Sequence, residues 1–275
     1  MNPSALLAVG QTALELGLIC SLTVLALFLS YSMLDVCDLS TDGCFTLGAA
    51  VGAVVAAAGY PLLSIPAAML AGMCSGFITA LLQTKLGINS LLAGIIVNTG
   101  LYSVNIAVMS GSSNVNLNKK DTVFTMMKGL LAGTPLKGQH VAVVSAIAVV
   151  LVVAFLTFFL NTRLGLAIRA TGNNPDMVRS SSINPVFTTI VGLCVANALT
   201  GLSGCLMAQS QQSAEINIGT GMVTIALASL LIGATLMGRG SIFTRAVGMV
   251  VGAFVFRLVY AIALRLDMHA FMLRL

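Results

Sequence analysis

The sequence predicts an all-α fold, a polytopic bundle of membrane-spanning helices. Of its 275 residues, 58% are hydrophobic and only 8% are charged, whereas about a quarter of the residues in an average soluble domain carry charge. Mean hydropathy is +1.03, and several apolar runs reach the roughly 20 residues that cross a hydrocarbon core about 30 Å thick. The surroundings of most side chains are therefore lipid or another helix.

About eight membrane segments are expected in one transmembrane domain that takes up the whole chain, residues 1–275. The stretch 45–58 is short for a full crossing and is either a tilted span or a discontinuous helix, because broken backbone at membrane depth needs protein or water around it. A short surface helix is predicted over 124–132. The eight segments are placed at residues 12–33, 45–58, 62–82, 88–109, 141–160, 187–207, 223–237 and 246–264.

Three carboxylates fall within eight residues, at Asp35, Asp38 and Asp42. Because a bare charge against lipid costs at least a few kcal/mol, we expect this segment at an interface or beside a wet cavity. The net charge of the chain is +5. In a bilayer protein such an excess lies in loops, where it sets orientation and meets anionic headgroups, so it does not indicate nucleic-acid binding.

The sequence predicts no metal site and no cofactor bound by this chain. The six cysteines lie mostly inside apolar runs and lack the CxxC or Cys/His spacing of metal sites, so we interpret them as packing residues. His140 and His269 lie far apart. No GxxxxGK[ST] loop occurs, so any ATP that powers this protein is bound by another polypeptide.

Pairs of glycines recur at four-residue spacing in the apolar runs. Such pairs let the backbones of two membrane helices approach closely, where no hydrophobic force favours association. They predict a tightly packed bundle and indicate no particular function. The pairs are Gly48/Gly52, Gly72/Gly76 and Gly248/Gly252.

The most polar helix-compatible stretch, residues 163–184, reads RLGLAIRATGNNPDMVRSSSIN. A polar stretch between two spans is often only a connector. Here Asn174 can cap a short helix and Pro175 suits its first position. We expect a short helix that lies across the membrane face and carries Arg169 and Arg179.

This stretch resembles the cytoplasmic coupling loop of ABC-importer permeases of the branched-chain amino acid and ribose type. Three further stretches are similar to the tryptophan/tyrosine-type uptake permeases of that group, so the resemblance covers nearly the whole chain. They are DLSTDGCFTLGAAVGA (38–53), LLQTKLGINSLLAGIIVNTGLYSVNIAVMSG (81–111) and GLSGCLMAQSQ (201–211).

The resemblance implies a non-catalytic permease subunit of an ATP-driven importer in the bacterial plasma membrane. Its solute would be an amino acid, and an aromatic one by subfamily. The implied partners are a cytoplasmic ATPase that uses the ATP, an extracytoplasmic substrate-binding protein, membrane lipid and a second copy of the permease. The residues implied to contact the ATPase are Arg169, Ala170, Thr171, Gly172, Asn173, Asn174, Pro175, Asp176, Met177 and Arg179.

The sequence departs from the family's pattern at two places. The coupling loop has Ser180, Ser181, Ser182 and Ile183 where an Ala-Leu-Gly-Ile-like run is usual, so its fit to the ATPase is expected to differ. The pattern also continues with one more apolar span after the region that matches 257–275, which predicts that a last C-terminal span is missing. Lysines and arginines fall at both membrane faces, so the orientation rests on the resemblance.

Seven polar residues in or near the apolar runs are candidates for the translocation path, because polar groups at membrane depth need a water or protein partner. For each of them, hydrogen bonding between helices is the alternative interpretation. Asn98, Tyr102 and Asn105 are four and three residues apart, which places them on one helix face. The seven candidates are Asp42, Asn98, Tyr102, Asn105, Asn197, Gln209 and Gln212.

Two other classes of protein remain open on the sequence. An ion-coupled secondary transporter or a channel would work without ATP, and such transporters often have inverted repeats and intramembrane charges. No convincing repeat relates the two halves here, and Arg257 is the only charge well inside a predicted span. An intramembrane enzyme would need a nucleophile with its base, or a metal cluster, and neither pattern is visible.

Overall fold

The computed structural model describes residues 3–118, 120–130, 139–238 and 240–265. These residues form long helices and one small sheet. The first helix continues without a break into a π-helical segment, Phe28–Met33. The helices are α1 (Pro3–Leu27), α2 (Thr41–Ala57), α3 (Pro61–Thr84), α4 (Ser90–Val108), α5 (Val123–Leu130), α6 (His140–Asn161), α7 (Arg163–Asn173), α8 (Pro175–Ser180), α9 (Pro185–Gln211), α10 (Met222–Met237) and α11 (Ile242–Arg265).

Six helices in the described residues are long and apolar enough to cross a membrane. This confirms the predicted all-α polytopic fold. Two further apolar helices, α2 and α10, have only 17 and 16 residues, so the count of about eight membrane segments stays a prediction. The six long segments are Gly10–Met33, Pro61–Thr84, Ser90–Val108, His140–Asn161, Pro185–Gln211 and Ile242–Ala263.

The long helix α9 forms the centre of the bundle. It packs against α3, α2 and α1. In its most apolar stretch of 18 residues, 78% of the residues are buried. Gly48 lies opposite Gly201, and Gly52 lies opposite Cys205, so α2 and α9 run in the same direction. The first residue of α2 is therefore level with the middle of α9, and α2 starts inside the bundle rather than at its end.

The predicted glycine contacts are confirmed. A side chain at Gly48 would overlap the carbonyl oxygen of Gly201, so the two backbones touch there. Gly72 and Gly76 likewise approach the backbone of α9, and Gly248 and Gly252 approach α10. In lipid no hydrophobic force favours association between helices, and close packing at small residues stabilises their association instead.

A two-stranded antiparallel sheet, absent from the sequence prediction, joins two loops at the end of α9. Strand β1 (Asn114–Asn116) pairs with β2 (Ser213–Glu215). The surface helix predicted over 124–132 is present as α5, and residues 131–132 lie outside the described residues. Glu215, the last residue of β2, is exposed.

The contact between α2 and α9 yields a stability prediction. Gly48→Ala should lower the free energy of unfolding by about 1–3 kcal/mol, because the added methyl group cannot fit against a backbone carbonyl. The measurement is thermal unfolding of the purified chain in detergent. Gly100→Ala is the matched control, since no atom of the described residues lies within 4 Å of the added carbon there. A Gly48 variant as stable as the control would contradict the packing.

Candidate functional site

The amino-terminal ends of α2 and α10 meet at the side chain of Asp42. This residue lies in the first turn of α2, and its two carboxylate oxygens accept hydrogen bonds from the backbone N–H groups of Gly221 (3.0 Å) and Val223 (2.8 Å). Gly221 has a φ of +80°, which favours glycine. Since helix amino termini carry partial positive charge, both helix ends stabilise the carboxylate, which forms no ion pair with a basic side chain among the described residues.

A cavity of about 310 Å³ lies beside this junction. It contains four of the seven predicted path residues, and the spacing of Asn98, Tyr102 and Asn105 places them on one face of α4 as predicted. Most of the lining residues, from α2, α4 and the loop before α10, carry a polar group. The lining residues are Asp42, Gly43, Thr46, Asn98, Thr99, Tyr102, Asn105, Ile216, Asn217 and Thr220.

Hydrogen-bonding capacity remains free in this wall. The side-chain amide of Asn105 donates to the carbonyl of Gly43 (3.2 Å), but its own oxygen is buried and has no partner within the described residues. Tyr102 is 51% exposed. The cavity can therefore offer the Tyr102 phenol to a polar solute.

Asn197 lies in a different polar cluster, between α9 and the non-helical segment 34–40. Its side-chain amide donates to a carboxylate oxygen of Asp38 (2.7 Å) and to the carbonyl of Leu193 (3.2 Å). The other oxygen of Asp38 accepts from the backbone N–H of Ser40 (2.8 Å). Asn197 thus holds the segment before α2 against the middle of α9.

Gln209 and Gln212 also lie outside the cavity wall. The Gln209 amide nitrogen donates to the Ser64 hydroxyl (2.6 Å), and its oxygen accepts from the backbone N–H of Val123 (2.9 Å), so it joins α9 to α3 and to the start of α5. Gln212 ends α9 in a left-handed conformation, and its carbonyl accepts from the N–H of Leu117 (2.9 Å). Three of the seven candidates therefore form helix-to-helix or loop contacts.

The short helix α8 begins as the sequence predicted. The side-chain oxygen of Asn174 accepts from the N–H groups of Asp176 (3.1 Å) and Met177 (3.0 Å), and Pro175 is in the first turn. Only Val178 of α8 is buried, and Met177 is 65% exposed. The helix therefore offers most of its surface to a partner.

The preceding helix α7 is fixed to two parts of the bundle. The hydroxyl groups of Thr171 and Thr188 are 2.8 Å apart, which joins α7 to the first turn of α9. Gly172 packs directly against the backbone of Met33 and Leu34, at the end of the π-helical segment. A displacement of α7 would thus reach the segment 34–40, which leads into α2. No local pattern in the sequence indicates the Gly172 and Asp38 contacts, because each depends on a residue distant along the chain.

A bundle of long apolar helices, with a polar cavity where two shorter helices begin, defines a multi-pass membrane transport protein. The chain belongs to the family described as "Branched-chain amino acid transport system / permease component", which matches residues 11–269. The family resemblance inferred from the sequence is thereby confirmed. No solved structure matches the chain at a significant level.

Several curated proteins are similar to the chain over most of its length. A tyrosine transport system permease protein of Clostridioides difficile (strain R20291) is 33% identical over 254 residues, which cover 92% of this chain and 82% of that protein. An uncharacterized protein of Rickettsia prowazekii is 30% identical over 94% of this chain and 88% of its own. The ribose import permease of Escherichia coli K12 is 27% identical over 79% and 66%.

The chain is therefore the permease component of an ABC-type transport system. It is a non-catalytic, multi-pass protein of the bacterial plasma membrane. Its family implies an ATPase partner and a substrate-binding protein. This membership favours ATP-driven transport over the ion-coupled alternative.

The two polar clusters predict opposite outcomes for two asparagines. Asn197→Ala should lower the free energy of unfolding by about 2–3 kcal/mol, because it removes a donor from the buried Asp38 carboxylate. Asn98→Ala is the matched control, since the Asn98 side chain lines the cavity and makes no hydrogen bond within the described chain. Thermal unfolding in detergent measures both. Equal losses of stability would show that the two asparagines play the same structural part.

Proposed function

We propose that two copies of this chain surround a path for an amino acid, with an aromatic one as the first candidate, and that α8 receives the ATPase. The observation that carries the proposal is the polar cavity at the junction of α2 and α10, which contains Asp42, Asn98, Tyr102 and Asn105. The choice of solute is supported by the similarity to a tyrosine transport system permease over 92% of the chain.

The chemistry of the cavity suits a solute with no net charge. Its carboxylate, Asp42, already accepts two backbone hydrogen bonds from the start of α10. The remaining polar groups in the wall are amides, hydroxyls and a phenol. Such groups can hydrogen-bond both the ammonium and the carboxylate of a zwitterionic amino acid, while none of them carries a positive charge that would favour a net anion.

A second copy of the chain would complete the path. The face of α4 beside the cavity is exposed. About half of the surface of each of four side chains on it is accessible, namely Tyr102 and the apolar residues Leu92, Ile95 and Ile96. In a two-fold arrangement the same face of each copy would contribute to one central path. The exposed apolar residues would then pack against the partner or against lipid.

The α7–α8 segment is our candidate for contact with the ATPase. It lies at one end of the bundle, α8 is exposed, and α7 contacts both α9 and the segment 34–40. Movement imposed on α8 could therefore change the position of α2 and the cavity. The coupling residues proposed are Arg169, Ala170, Thr171, Gly172, Asn173, Asn174, Pro175, Asp176, Met177 and Arg179. Of these, Thr171 and Gly172 pack against the bundle, so their proposed part is to transmit movement and not to touch the ATPase.

The coupling role is tested at the most exposed apolar residue of α8. Met177→Glu should abolish co-purification with the ATPase subunit co-expressed from the same organism, because a carboxylate replaces an apolar contact. Met126→Glu, on the exposed surface of α5 at the other end of the bundle, is the control. The coupling proposal fails if the Met177 variant retains the ATPase as the control does.

The path is tested by transport in liposomes that contain the complete transporter. Asn98→Leu should reduce uptake of labelled tyrosine by roughly tenfold, because an amide in the cavity wall is lost. Asn118→Leu is the control, since Asn118 is exposed outside the cavity. Undiminished uptake by the Asn98 variant would exclude this cavity from the path, and uptake of another amino acid in place of tyrosine would correct only the solute.

A further inference from the structure

Two arginines come together where α11, α7 and the π-helical segment meet. The Nη2 atom of Arg245 donates a hydrogen bond to the hydroxyl of Ser32 (2.8 Å), and its guanidinium carbon lies 5.3 Å from the centre of the Phe28 ring. Gly172 of α7 packs against Met33 and Leu34, next to Ser32, and Arg169 lies one turn before Gly172 on the same side of α7. Two helices distant in sequence thus bring like charges to one corner of the bundle.

No carboxylate neutralises this pair within the described residues. The one ion pair found there joins Arg179 to Asp176 on α8. The Nε atom of Arg245 is buried and finds no acceptor in the described part of the chain. Because like charges held together cost free energy unless an anion lies between or beside them, the arrangement indicates a negatively charged group that the chain does not itself supply.

The position of the pair indicates the source of that group. Arg245 is the fourth residue of α11 and lies in the first turn of a candidate membrane span. On α7, Leu166 is 52% exposed although Ile168 is fully buried. An exposed leucine on a helix that also carries arginines, beside membrane spans, is typical of a helix lying in the membrane surface. Both guanidinium groups are then at the depth of the lipid headgroups.

We propose that Arg169 and Arg245 bind the phosphate of an anionic phospholipid in the leaflet that faces α7. Guanidinium groups bind phosphate through two parallel charge-assisted hydrogen bonds, and basic pockets between membrane helices bind anionic headgroups. The lipid would join α7 to the start of α11. Since α7 also contacts the segment before α2, lipid composition would affect the position of the cavity.

The experiment uses the purified chain alone, in detergent, so it does not depend on any transport partner. Thermal unfolding is followed while palmitoyl-oleoyl phosphatidylglycerol, the zwitterionic phosphatidylcholine with the same chains, or inorganic phosphate is added. We expect phosphatidylglycerol to raise the unfolding temperature more than the other two. Arg169→Gln and Arg245→Gln should each weaken its binding roughly tenfold, the effect of losing one charge-assisted contact.

Two further variants separate lipid binding from loss of structure. Lys128→Gln removes an exposed charge at the opposite end of the bundle and should bind phosphatidylglycerol like the unmodified chain. Arg245→Lys retains the charge and should recover part of the binding. Native mass spectrometry counts bound lipids directly and gives a second measurement if Arg245→Gln is unstable. Arg169→Gln leaves the hydrogen bond between Arg245 and Ser32 intact, so it tests lipid binding without that loss. Equal binding by all variants, or an equal response to phosphatidylcholine or free phosphate, would overturn the proposal.

Discussion

The need to satisfy backbone groups at membrane depth constrains this structure more than any other requirement. Unpaired N–H groups in hydrocarbon are costly, so a helix that begins inside a bilayer needs acceptors for its first turn. Both α2 and α10 begin inside the bundle. The carboxylate of Asp42 supplies two of the acceptors for α10, and the backbone and side chain of Asp38 accept from the residues just before and at the start of α2.

Those carboxylates in turn depend on α9. Asn197 donates to Asp38 at the middle of α9, and close backbone contacts at Gly48 and Gly201 hold α2 parallel to it. The polar cavity is thus built against the most buried helix of the bundle. The α7–α8 segment contacts the same helix through the hydrogen bond between Thr171 and Thr188. Both this segment and the helix that carries Asp42 are therefore packed on α9.

Much of this could be predicted from local patterns. Apolar run length predicted the long helices, four-residue glycine spacing predicted the tight contacts, and Asn174 with Pro175 predicted the start of α8. The distinction among the polar candidates could not be predicted. Asn98 and Asn197 look alike in sequence, since both are amides in apolar helices. Only the fold shows that Asn197 meets Asp38, 159 residues away, while Asn98 faces the cavity.

The way Asp42 is neutralised affects how the protein responds to the electrical potential across the bilayer. Its single negative charge lies at the amino termini of two helices, each equivalent to roughly half a positive charge, so the junction carries almost no net charge. The half charges belong to dipoles whose negative ends move with the same helices, so a shift of α2 and α10 across the membrane still displaces the single charge of Asp42. Since one elementary charge is worth about 2.3 kcal/mol per 100 mV, the electrical potential would add to the forces that reach this junction through neighbouring helices.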